Sequence, residues 1–283
     1  MKTYGYTRRK FFVMFSDCLF FVMLSDCLSY NILFLIRSRF LKLNRGRKLD
    51  KRCIVFYDSG SGGLNLFERT RKVFPNENYI YFADEKNLPF GDKTEEELNV
   101  VFDRAIKTIN SFCPKLLVVA CNTMSCCAEN RLGELPYKAV GVYPFLPENK
   151  KTNKSSGSGR KKPKGLLLTT PATAKTDYIK RLVSGRSDVL LMPQKTLASD
   201  VERWRQGGKK PDISLNFRDL NFIPEFISLG CTHYVFLKND IKKLFPKTKI
   251  LSGEINAFKK IRLFLTTFAT DDRNGTVYCL KSQ

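Results

Sequence analysis

The sequence predicts an α/β protein made of two similar α/β domains with mainly parallel sheets. Three observations carry that reading. Short apolar runs fall at residues 53–57, 79–83, 115–120, 138–142, 165–169, 188–192, 225–229 and 247–251. They are continuous rather than alternating, as in strands covered on both faces. Longer amphipathic stretches lie between them, at 64–74, 95–112, 172–183, 198–206 and 236–245, the last stopped by Pro246. Strand–helix alternation of this kind builds parallel sheets through right-handed crossovers. Finally, the segment ENKKTNKSSGSGRKKPK (148–164) is too polar to bury apolar surface, and it cuts the body into halves of similar length. The expected layout is an N-terminal extension over 1–52, outside the fold, then a first domain over 53–147 rejoined by 252–283. The linker 148–164 separates it from a second domain over 165–251.

The 283 residues suffice for two such cores. The formal charge of +22 normally points to nucleic acid, anionic lipid or an acidic partner. Here the excess is uneven. Twelve Lys/Arg against three Asp precede Cys53, and seven more Lys/Arg fall between residues 150 and 164. These cations lie in low-complexity stretches and are not interleaved with aromatic residues as on a stacking platform, so no nucleic-acid partner is expected. The nine cysteines include no CxxC pair, and the single histidine is His233. That pattern argues against a zinc site and against a secreted disulfide scaffold. Free thiols in a reducing, cytoplasmic compartment fit it.

The extension holds a near-duplicate, FFVMFSDCL from Phe11 and FFVMLSDCL from Phe20. Asp17 and Asp26 interrupt its apolar stretch, and each carboxylate at mid-bilayer costs about 3 kcal/mol. Three readings stay open: an added upstream piece with no role, a weak membrane anchor, or a targeting peptide with the basic start Arg8, Arg9 and Lys10. The first is the expectation.

Ligands of parallel α/β sheets bind beyond the carboxyl ends of strands. Three polar clusters sit there. Asp58-Ser59-Gly60-Ser61-Gly62-Gly63 follows the first run; its glycines let backbone approach a ligand, and G-x-G-x-x-G is absent. Ala120-Cys121-Asn122-Thr123 and Gly230-Cys231-Thr232-His233 each end a strand with Cys-x-Thr or Cys-Thr, one in each half. A lone Cys there is usually a small buried hydrophobe. Two in equivalent places suggest one thiol on each side of a substrate held in a cleft between the halves. Inverting a stereocentre needs such a pair, because the proton leaves one face and another returns to the opposite face. Thiols ionise near neutrality once neighbours lower their pKa. Ser, Thr, Asn and backbone amides are suitable donors for the carboxylates.

DSGSGG, ACNTMS and LGCTHY, in that order, resemble the three signature stretches of the glutamate racemase family. Asn87-Leu88-Pro89-Phe90-Gly91-Asp92-Lys93 is similar to its Pro-Tyr-Gly-x-Lys loop, and Thr170-Pro171-Ala172-Thr173 to its T-P-A-T turn. The resemblance runs from Ile54 to about Phe258. It implies two α/β domains facing a central cleft, no pyridoxal phosphate or metal, and frequent homodimers. It implies that Cys121 and Cys231 are the proton donor/acceptors, assisted by Asp58 and His233 respectively. Ser59, Gly91, Asn122, Thr123 and Thr232 would hold glutamate, with a backbone contact at Phe90, where the family has Tyr. The D-glutamate formed would feed peptidoglycan synthesis. Val235 replaces the proline that usually follows Thr-His-Tyr, and the family's further acidic residue near Asp200 and Glu202 has no clear counterpart. Two alternatives remain: a racemase of another acidic amino acid such as aspartate, or a retired racemase fold serving as a basic binding protein. Plainer readings are an Asp58 helix cap, a satisfied polar His233, packing thiols at Cys126 and Cys127, and turn formers at Ser61 and Thr173.

Overall fold

A computed structural model describes residues 13–15, 18–20, 52–148, 163–267 and 275–282. The basic segment 149–162 lies outside the described residues. So does most of the extension, including the apolar stretch after Phe11, apart from the antiparallel pair β1 (Val13–Phe15) and β2 (Cys18–Phe20). Among the described residues no helix is long and apolar enough to cross a membrane.

Two parallel sheets form the body. The first contains β3 (Ile54–Asp58), β4 (Tyr79–Ala83), β5 (Leu116–Val119), β6 (Lys138–Gly141) and β11 (Val277–Lys281), in the order β11-β4-β3-β5-β6. The second contains β7 (Gly165–Thr169), β8 (Val189–Pro193), β9 (Phe226–Gly230) and β10 (Lys249–Ser252), in the order β10-β9-β7-β8. Strands β3, β4, β5, β7 and β9 are buried along their whole length, which is why their sequence runs are continuously apolar. The edges β8 and β11 are half-exposed.

All eight expected strands form, with ends shifted by at most two residues. The helices show two differences. The stretch expected as one helix over 172–183 is two, Pro171–Lys175 and Asp177–Val183. Thr176 (φ −64°, ψ 150°) breaks it, and its hydroxyl caps the second helix by accepting from the Ile179 amide. Apolar periodicity passes through such a break unseen. The stretch 236–245 begins instead as a 3₁₀ turn, Thr232–Leu237, and becomes α-helical only over Lys238–Leu244.

Besides several short helices and 3₁₀ turns, the helix Glu254–Thr267 and β11 escaped the sequence reading. The helix lays Ala257, Phe258, Ile261 and Leu265 into the first sheet's core beside Phe56, Phe67 and Tyr79. There Phe56 and Phe67 meet edge-to-face at 5.2 Å and Phe67 and Tyr79 at 5.8 Å, contacts worth about 1 kcal/mol each beyond their burial.

The chain leaves the first sheet after β6 and returns after β10, and the two passages touch. A Cβ on Gly253 would lie 2.0 Å from the Tyr143 carbonyl oxygen. Gly253→Ala must therefore move backbone, not merely a side chain. The expected loss is about 1–3 kcal/mol, read as a lower denaturation midpoint with the spectrum of the folded state retained.

Candidate active site

Each sheet contains one switch point, where the chain turns from one side of a strand to the other. In the first sheet β3 has β4 on one side and β5 on the other; in the second β7 has β8 and β9. The crevices beyond β3/β5 and β7/β9 are where ligands of such sheets bind. Asp58 and Ser59 end β3, Cys121 follows β5, Thr170 follows β7 and Cys231 follows β9. The two crevices open onto one cavity, lined by Ser59, Phe90, Gly91, Cys121, Thr123 and Thr170 together with Lys195, Glu202, Arg203, Cys231 and His233. Hydroxyls stitch the two sides together: Thr123 Oγ1 lies 3.1 Å from Thr170 Oγ1 and 2.9 Å from Thr173 Oγ1.

The cavity therefore gathers seven of the ten residues singled out from sequence. Asp58 lies just beneath it, fully buried. Its Oδ2 accepts from the Gly63 amide (2.8 Å) and the Tyr81 hydroxyl (3.0 Å), while Oδ1 has no hydrogen-bond partner among the described residues. The cap reading is thus half right, since one oxygen holds the turn and the other is unused. Burial raises its pKa, against the lowering pull of the His233 charge and the Gly63 amide. Asn122 and Thr232 stand behind the cavity wall. The Asn122 amide donates to the Val142 carbonyl at 2.9 Å, and Thr232 abuts Gly62. Phe90 is buried and packs near Tyr57 with ring centroids 6.3 Å apart.

The two thiols sit in different fields. Burial, and then the neighbouring Asp58 charge, push Cys121 up to about 12; the Met124 amide and the Ser59 hydroxyl oppose this. Cys231 Sγ lies 3.7 Å from His233 Nδ1, and His233 Nε2 lies 2.6 Å from Glu202 Oε2. Burial alone would lower the imidazole pKa. The hydrogen bonds to Cys231 and Glu202 outweigh it and lift His233 to about 10. Burial likewise works against the Glu202 carboxylate, but the bonds from His233 and Ser61 hold it down at about 2. The site thus holds a buried imidazolium–carboxylate pair behind one thiol and a carboxyl with a free oxygen behind the other.

Glu202 is the residue that sequence reasoning left unplaced. The motif around it gave no signal. Only the folding of the Leu197–Arg205 helix beside the Thr232–Leu237 turn brings it to His233. Ser61 and Thr173, read as turn formers, prove to be hydrogen-bonded to Glu202 and Thr123. Cys126 is a buried thiol on the helix after Cys121, as expected.

Comparison with known proteins identifies the family. No family model matches the chain. A glutamate racemase of Clostridium botulinum is 31% identical over 241 residues, covering 82% of this chain and 92% of the relative, and one of Clostridium novyi is 30% identical over 249 residues, covering 83% of this chain and 92% of the relative. The chain belongs to the glutamate racemase family. Solved structures share the fold. A glutamate racemase isoform of Bacillus anthracis matches with a TM-score of 0.65 at 24% identity, over 82% of this chain and 89% of that one. The Escherichia coli glutamate racemase, solved with L-glutamate and an activator, matches with a TM-score of 0.64 at 24% identity, over 81% and 89%. The enzyme is accordingly an isomerase with an α/β fold.

The ion pair makes stability depend on pH. His233 binds its proton more tightly folded than unfolded, so its share is complete below about pH 6.5 and fades as pH rises to about 10. Glu202 loses its share on the acid side, between 4.5 and about 2. Chemical denaturation from pH 6 to 10 should show stability falling through this alkaline window. In Glu202→Gln the fall should be much smaller; an equal fall in both proteins would contradict the assignment.

Proposed function

We propose that the protein interconverts L- and D-glutamate by passing the α-proton between two thiols, Cys121 and Cys231, without a cofactor. The observation that carries this reading is the placement of these thiols at the switch points of two sheets, facing one cavity and close enough to feel each other's charge. A substrate held between them would present one face of its α-carbon to each. One thiolate removes the proton, the opposite thiol returns one, and the configuration inverts. Asp58 assists Cys121, and the His233–Glu202 pair assists Cys231. The His233 imidazolium stands beside Cys231, with Nδ1 3.7 Å from its sulfur. On the other side, the substrate's ammonium supplies the positive charge that a buried Cys121 beside a carboxyl lacks.

The intermediate is carbanion-like, so donors at the carboxylates matter. Each well-placed donor in a dry site is worth about 3 kcal/mol. Ser59, Thr123 and the backbone at Phe90 and Gly91 supply them from the cavity wall, and Asn122 and Thr232 support that wall from behind. Residues 53–147 with 252–283 form one domain and 165–251 the other, with the substrate between them. The D-glutamate formed serves peptidoglycan synthesis. Cys53, Cys113, Cys121, Cys126, Cys127, Cys231 and Cys279 are all free thiols, which supports action in the reducing cytoplasm. A homodimer and a weak membrane association through the extension are the accompanying readings from sequence.

In D₂O without added cofactor, both enantiomers of glutamate should lose their α-hydrogen as optical rotation decays. Cys121→Ser and Cys231→Ser should each lower kcat by at least about a hundredfold while the far-ultraviolet spectrum is kept. Wild-type turnover in either variant would remove that thiol from the mechanism, and exchange with aspartate alone would change the substrate.

A further inference from the structure

The turn Gly60–Ser61–Gly62 after β3 is fitted into the second sheet's side of the cavity with no clearance. A Cβ on Gly60 would lie 3.0 Å from Glu202 Oε2, and one on Gly62 would lie 2.6 Å from Thr232 Oγ1 and 2.8 Å from His233 Nδ1. Between these glycines, Ser61 is the only side chain of the three. Its amide donates to Glu202 Oε2 at 3.0 Å, and its hydroxyl donates to the same oxygen at 2.7 Å. That oxygen also faces His233 Nε2 at 2.6 Å. One carboxylate oxygen therefore takes three donors, two from the first sheet's turn and one from the second sheet's histidine. Glu202 Oε1 is held by the Gln206 amide at 3.1 Å, a bond within its own helix.

We propose that Ser61 is a positioning residue for the Cys231 side of the site: it anchors the Glu202 carboxylate from across the cavity and so fixes His233 against the thiol. The inference rests on the two-thiol reading for its effect on turnover. Its physical content, the Ser61–Glu202–His233 chain, stands on the distances alone. The charged and titratable groups facing His233 are Cys231 on its own segment, Glu202 on the Leu197–Arg205 helix and Asp58 at the end of β3. Of these, Glu202 is the one whose place depends on Ser61. Without the hydroxyl, the carboxylate keeps one backbone donor, its bond to the imidazole loosens, and water competes for it.

His233 is the only histidine in the sequence, so its ring signals are unambiguous in ¹⁵N-labelled full-length protein. In the wild type the imidazolium should persist to about pH 10. In Ser61→Ala the midpoint should fall by about one pH unit or more. With glutamate, kcat should fall about tenfold while KM stays within about twofold, because a misplaced base slows the proton transfer more than binding. Ser61→Thr, which keeps the hydroxyl, should recover both. Should Ser61→Ala not fold, Ser61→Gly repeats the measurement in a turn already built of glycine. A His233 midpoint that does not move in the folded variant overturns the proposal, even if kcat falls. A wild type that fails to racemise glutamate while its His233 midpoint still follows Ser61 would refute the racemase reading and leave the anchoring in place.

Discussion

The structure depends on the close fit between a glycine turn and a buried ion pair. The Asp58–Gly63 turn closes over Glu202, Thr232 and His233 with no room for a side chain at Gly60 or Gly62. That contact sets the approach of the two sheets beside the cavity. It also keeps the His233–Glu202 pair dry. A buried charge pair is tolerated only when its remaining hydrogen-bonding capacity is met. Here Ser61 and Gln206 meet that of the carboxylate, and Cys231 that of the imidazole.

The two halves of the site are alike in topology and unlike in electrostatics. Each thiol ends a strand beside a switch point, so backbone geometry treats them equally. Their neighbours do not. Cys121 has a buried carboxyl whose second oxygen is unused, and Cys231 has a fixed cation. Burial and the Asp58 charge thus hold Cys121 protonated, while Cys231 lies beside the His233 imidazolium.

The cavity wall also departs from a purely neutral pocket. Lys195 and Arg203 line it beside Glu202, and Arg203 is paired with Asp200 at the surface. Phe90 contributes its ring to the core beneath the loop and leaves Gly91 at the surface of the cavity, where a Cβ would meet Thr170 at 2.8 Å. The close approach of the loop to Thr170 is kept by the glycine.

Much of this was legible in the sequence alone. Continuous apolar runs revealed the buried strands because both faces of a parallel sheet are covered. The paired thiols, Asp58 and His233 were legible because they lie in short contiguous motifs. Thr176 hid its helix break, since capping depends on one residue's dihedrals and leaves the apolar spacing intact. The helix Glu254–Thr267 and β11 were missed because they serve a sheet far away in the chain. Glu202 and Ser61 were beyond reach for the same reason: they lie 141 residues apart, and no local pattern marks a hydrogen bond between them. The sequence by itself determined the layers, the strands and the motif residues that line the cavity, which depend on local composition. The tertiary structure alone decided that Glu202 is the carboxylate bonded to His233 and Ser61, because that depends on two sheets meeting across a cavity.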